Sequence, residues 1–134
     1  MAALSDGLVA GAVGGVVSGA PSTAHILVRG GDLLESVRAA GTLVGSPTVA
    51  AGVAVHAALS LGWGVVLAAL LPRRRTAVWG AGAGVAIAAV DLGLVGRRLP
   101  RVAALPALPQ VADHVAYGAV VGAVLSGLSA RRSP

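Results

Sequence analysis

Six residues in this chain have the chemistry to move or hold a proton inside an apolar segment: His25, His56, Asp91, Asp113, His114 and Tyr117. Imidazole titrates near neutral pH, and a carboxylate beside it makes a proton relay. His56 stands within Pro47 to Leu71, a run of 25 residues without Asp, Glu, Lys or Arg. It is about nine residues in, so about 13 Å deep if the run is helical. Asp91 precedes Arg97 by about a turn and a half, and Asp113 and His114 open a later apolar run. A carboxylate or imidazole at such depth is costly unless paired, and pairs of this kind mark ion paths and binding sites. Each residue also has a plain structural reading. Asp91 can pair with Arg97, Arg98 or Arg101; Asp113 can serve the dipole of its own helix; His56 can link to Ser60 or Tyr117.

Other chemistries find less support. With no cysteine, thiol catalysis and sulfur-ligated metal sites are excluded. The three histidines and the aspartates follow no recognised ligand spacing, HExxH is absent, and no metal site or cofactor is assigned. Neither a GxSxG nucleophile motif nor a phosphate-binding loop occurs. The chain reads as non-enzymatic.

The elements that must carry these residues follow from composition. The 134 residues are 56% hydrophobic and 11% charged, with mean hydropathy +0.87. Soluble domains carry about 25% charged residues. The formal charge of +5 comes from ten arginines gathered in short clusters at the ends of apolar runs. That is where a membrane protein meets anionic head groups, so the lipid bilayer and not nucleic acid is the expected partner.

The fold class expected is all-α, a single membrane domain over residues 1–134: a four-helix transmembrane bundle with a short amphipathic surface helix between spans one and two. The spans lie at about 4–20, or 4–28 with a kink at Pro21, then 47–71, 76–96 and 110–130. Ser46 and Thr76 are the expected N-caps of spans two and three. The surface helix covers about 32–44, opened by Asp32 and Glu35 at capping-box spacing and closed by Gly45. Pro106 and Pro109 punctuate the linker before the fourth span.

Every span carries a row of small residues at i+4, which lets helix backbones approach closely. Gly7, Gly11, Gly15 and Gly19 form a glycine zipper on span one. Gly52, His56, Ser60, Gly64 and Ala68 line span two; Gly80, Gly84 and Ala88 line span three; His114, Gly118, Gly122 and Ser126 line span four. A tight antiparallel bundle follows, with self-association or a membrane-protein partner through the glycine faces as a further expectation. Alternation of four spans places His25, His56, Asp91, Asp113 and His114 in one half of the membrane. The arginines divide five and five between the two sides; the denser Arg73–Arg75 cluster favours cytoplasmic termini.

Gly-Ala-Pro-Ser-Thr-Ala-His (19–25), Val-His-Ala-Ala-Leu-Ser-Leu-Gly-Trp-Gly (55–64), Asp-Leu-Gly-Leu-Val-Gly-Arg-Arg (91–98) and Ala-Asp-His-Val-Ala-Tyr-Gly (112–118) carry a resemblance across most of the chain. In these the protein resembles small four-span membrane proteins of actinobacteria. The resemblance implies an integral membrane protein of the cell membrane and brings no assigned activity. Small multidrug exporters are similar in size but need an acid in the middle of span one, where this chain has only Asp6 near the start. Small fluoride channels rely on phenylalanines, and this chain has none. Two functions therefore stand: a structural or partner-binding helical bundle, or a small proton- or ion-coupled transporter using the His/Asp cluster.

Overall fold

The structure, a computed structural model, describes residues 2–132. It is all-α, with no strand among the described residues. In chain order the elements are α1 (Ala2–Val17), α2 (Ala20–Arg29), α3 (Glu35–Gly41), a 3₁₀ turn (Thr42–Val44), α4 (Val49–Leu70), α5 (Thr76–Ala88), a π-helical stretch (Ala89–Val95), a 3₁₀ turn (Gly96–Arg98), the single turn α6 (Pro100–Ala103) and α7 (Ala107–Ala130). Four segments are long and apolar enough to cross a membrane: Ala3–Arg29, Val49–Leu70, Thr76–Arg98 and Ala107–Ala130.

Long apolar helices occur at the four places where spans are expected, about 4–20 or 4–28, 47–71, 76–96 and 110–130, with shifted ends. The first is broken at Ser18–Gly19, not at Pro21, which instead sits in the first turn of α2 where its missing N–H costs nothing. The second begins at Val49. Its N-cap is Thr48, in extended conformation with Oγ1 accepting from Ala51 N at 3.2 Å; Ser46 only hydrogen-bonds Thr48, at 3.1 Å. The third starts behind Arg75, which is left-handed at φ 54°; Thr76 is buried as the first helical residue and does not cap. The fourth starts three residues early at Ala107, because Pro109 falls within the first turn and is tolerated there.

Backbone-to-backbone contact organises the bundle. A Cβ on Gly7 would stand 2.6 Å from Val65 Cα, and one on Gly64 would stand 2.6 Å from Gly11 Cα. Gly11 and Gly15 face Ser60 in the same antiparallel register, so α1 and α4 are a tight pair. A second pair, α5 with α7, sets Gly80 against Gly118 and Gly122, and Gly84 against His114 and Val115. The pairs meet through α1 and α7: Gly14, outside the expected row, leaves room for Tyr117 and Val121, whose side chains a Cβ would meet at 2.8–3.0 Å. Ala10, Leu67, Ile87, Tyr117, Val121 and Leu125 make the core. Two expected positions behave differently. Gly19 has nothing within 4 Å of its Cβ direction, and Gly52 packs against Val37 of α3 and not against a long helix. At the opposite end of the bundle Arg132 Nη1 donates to Asp6 Oδ2 at 2.7 Å, joining the two chain ends.

The surface helix expected over 32–44 is shorter, α3 plus the 3₁₀ turn, and ends at Gly45 in the left-handed region (φ 74°). It caps the bundle, seated on α4 where Gly41 meets Ser46, Thr48 and Gly52. Asp32 opens it differently from a capping box: Oδ1 accepts Leu34 N at 2.8 Å and Oδ2 takes Arg38, while Glu35 turns to Arg101 at 3.4 Å. The Leu34 N–H, and after it the Arg38 guanidinium, hold the Asp32 carboxyl below its ordinary 3.8. A depressed carboxyl contributes in full above its unfolded value and loses that contribution as pH falls through the folded one. Hydrogen exchange at Leu34 and α3, corrected for intrinsic rate, is therefore expected to stay level from neutral pH down to about pH 4 and to rise only below that.

Candidate functional site

Between α4 and the third long helix lies a cavity of about 300 Å³. Those two helices scarcely touch; each packs instead on its own partner, α1 or α7. α7 and the break in the first long helix contribute Tyr117, His114, Asp113, Ser22 and Gly19 to its wall. α3 covers it with Ser36, Val37 and Ala40, flanked by Leu33 and Leu43. This cover is tied down by Gln110 Nε2 donating to Ser36 Oγ at 3.3 Å and by the Glu35–Arg101 pair.

The cavity gathers His56, Asp91, Asp113, His114 and Tyr117, five of the six residues singled out from sequence. His25 is half-buried and lies outside the lining. Their partners are not those the plain readings expected. Asp91 pairs with His114 (Oδ2 to Nε2, 3.4 Å), not with Arg97, Arg98 or Arg101. Asp113 accepts the backbone N–H of Ser22 at 2.9 Å, serving the N-terminus of α2 and not that of its own helix. His56 Nε2 meets the carbonyl of Gly15 at 2.8 Å, not Ser60 or Tyr117. Tyr117, buried at 6% exposure, donates its hydroxyl to the carbonyl of Ser60.

Two of these contacts have one cause. In an unbroken helix Gly15 O would accept from Gly19 N, and Ser22 N would donate to Ser18 O. The break at Ser18–Gly19 frees both groups in an apolar setting, where an unpaired peptide group costs several kcal/mol, about 2–7 by transfer measurements. His56 from α4 takes the carbonyl and Asp113 from α7 takes the N–H. Ser18 Oγ adds a weak 3.5 Å bond to the same carbonyl. The break is thus closed from both sides by side chains distant in sequence.

Asp91 and His114 have no such duty. Asp91 sits in the π-helical stretch Ala89–Val95, where the N–H of Gly96 returns to Asp91 O, five residues back. Such widened turns recur at functional sites. His114 Nδ1 lies 2.8 Å from the carbonyl of Gln110. A carbonyl only accepts, so Nδ1 carries a proton. A bare Nε2 lone pair against a carboxylate would repel it. The pair is therefore held by one further proton, as imidazolium beside carboxylate or imidazole beside carboxylic acid. Both side chains are about one-fifth exposed and both border the cavity, so this proton is in reach of the cavity's contents.

No group of three or more His, Cys, Asp or Glu arranged to hold a metal ion occurs among the described residues. Every buried side-chain polar atom among them has a hydrogen-bond partner. Sequence reading did not single out the peptide N–H of Ser22, the carbonyl and side-chain amide of Gln110, or the Ser36 hydroxyl as site groups. It also missed the two apolar walls, Leu59 and Trp63 on α4 against Ile87 and Leu92 on the third long helix. The i, i+4 step from Leu59 to Trp63 was the available signal. Comparison with protein-family models, curated proteins and solved structures finds no match.

Proposed function

We propose that this chain is a non-enzymatic integral membrane protein that works as a small proton-coupled carrier, with the cavity between α4 and the third long helix as its solute site. The Asp91–His114 pair on the cavity wall carries the proposal. It holds a proton where the third long helix meets α7, and borders a space of about ten water volumes, at about 30 Å³ each. A solute that changes the charge beside the pair changes its proton occupancy, and by linkage the proton changes the solute's affinity. The four long apolar helices support the membrane setting, and the capping helix α3, with its two polar ties, supplies a cover that can open. The full pairing of buried polar side chains favours a second reading, a closed structural or partner-binding bundle, in which His56 and Asp113 close the break and the Asp91–His114 pair ties the third long helix to α7.

The test is flux. Protein in liposomes with an internal pH dye is challenged with gradients of cationic, neutral and anionic small solutes. At least one class is expected to drive proton movement in wild type that Asp91→Asn removes. Identical traces for wild type, Asp91→Asn and empty liposomes across all three classes would return the chain to the structural reading.

A further inference from the structure

Resting on that carrier reading, we infer that the solute is a small organic monocation with an apolar body, an alkyl- or arylammonium, held beside Asp113 with its body between Leu59, Trp63, Ile87 and Leu92.

Charge counting leads there. The titratable side chains on the cavity wall are His56 from α4, Asp91 from the π-helical stretch, and Asp113, His114 and Tyr117 from α7, the last with its hydroxyl donated to Ser60 O. α1, α2, α3 and α6 contribute none; Glu35, Arg38 and Arg101 lie outside the lining, as do the remaining arginines. The Asp91–His114 pair with its proton is neutral in either form. His56 spends Nε2–H on the Gly15 carbonyl and forms no ion pair among the described residues. Asp113 accepts the peptide N–H of Ser22 at the start of α2 and forms no ion pair among the described residues. Asp113 is thus the carboxylate of the wall without an ion-pair partner, and no arginine stands among the lining residues to supply one. An anion would be repelled, and a neutral solute would leave the charge buried. A monocation neutralises it.

The remainder of the wall selects the body of the solute. Ile26, Leu33, Leu59, Ile87 and Leu92 are aliphatic, and Trp63 adds an indole ring, a group that attracts cations. About 300 Å³ is at the small end of ligand cavities. This suits an ammonium on one ring or a short chain and excludes large multi-ring cations. Loss of the pair's proton makes the wall more negative, so the cation is held more tightly as pH rises, and its binding expels protons.

The experiment uses wild type in nanodiscs of zwitterionic lipid, with empty nanodiscs subtracted. Calorimetric titrations compare 2-phenylethylammonium with 2-phenylethanol and phenylacetate, which keep the ring and change the charge. The expected result is saturable binding of the ammonium, at least about tenfold tighter than of either isostere, or about 1.4 kcal/mol. Asp113→Asn keeps an oxygen for Ser22 N and is expected to fold and to lose that preference. Asp91→Asn is expected to bind the ammonium with its pH dependence flattened. Ala40→Trp fills the cavity from the covering helix, leaves every charge in place, and is expected to abolish binding. Equal or tighter binding of phenylethanol, or of phenylacetate, overturns the cation assignment while leaving a proton-linked cavity standing. Ammonium binding that survives Ala40→Trp or Asp113→Asn unchanged also overturns it. No saturable binding of any probe, together with no solute-driven proton movement in liposomes, overturns the carrier reading with it.

Discussion

Gly118→Ala is expected to destabilise the bundle by about 3 kcal/mol, at the upper end of what overpacking costs. One methyl group does this because of what it would strike. A Cβ at position 118 falls on the peptide group of Gly80, 2.8 Å from its carbonyl carbon and 3.0 Å from Gly84 N. Backbone on both sides cannot swing aside as a side chain can, so α5 and α7 must separate along their whole contact. The same substitution at Gly82, on α5 with nothing within 4 Å, is the control. There alanine is expected to leave stability unchanged or raise it by up to about 1 kcal/mol, since glycine is the poorer helix former. Denaturation in mild detergent of Gly118→Ala, Gly82→Ala and wild type decides it. Equal losses at both positions would mean that backbone contact between α5 and α7 does not hold the bundle.

Asp113→Ala carries the second large effect, a loss of about 1–3 kcal/mol from leaving the Ser22 N–H without its acceptor. The damage is local. Exchange should quicken at Ser22 and through α2 while the α5–α7 pair keeps its protection. Asp113→Asn is expected to cost less, because its amide oxygen can still accept. His56→Ala releases the other side of the same break, so Asp113→Ala and His56→Ala together are expected to cost less than their sum. Strict additivity of the two would show that they do not repair one defect.

These expectations explain what was legible in the sequence. The four long helices were readable because 20-odd mostly apolar residues with little charge have few other fates, and Gly45 was readable because a left-handed residue closes the turn after α3. The small-residue rows announced close backbone contact between helices, but which helix pairs with which is settled only by the fold. The glycines at 14, 19 and 52 were harder, because whether a glycine meets a ring, a cavity or a neighbouring helix is set by the partner and not by its own spacing. Gathering His56, Asp91, Asp113 and His114 at one end followed from connectivity alone. Their partners did not, because Ser22 N, Gly15 O and Gln110 O are peptide groups that every residue possesses. Only the position of the break, two residues before Pro21, makes two of them available. The π-helical stretch around Asp91 likewise leaves no mark in residue type.

The pairing of α1 with α4 and of α5 with α7 bears on how the chain comes to be assembled. Each pair is made of long helices adjacent in the sequence, and each is sealed by peptide groups that need no third helix. The first can close while the second is still being synthesised. What joins the two afterwards is of another kind: the ring of Tyr117 and the methyls of Val121 resting on Gly14. Side chains form that seam, whereas main chain forms the pairs. Exchange along the α1–α7 seam is therefore expected to be faster than inside either pair. Two stiff halves meeting along a softer line can rock, and the cavity lies on the side of the bundle where such rocking would widen it.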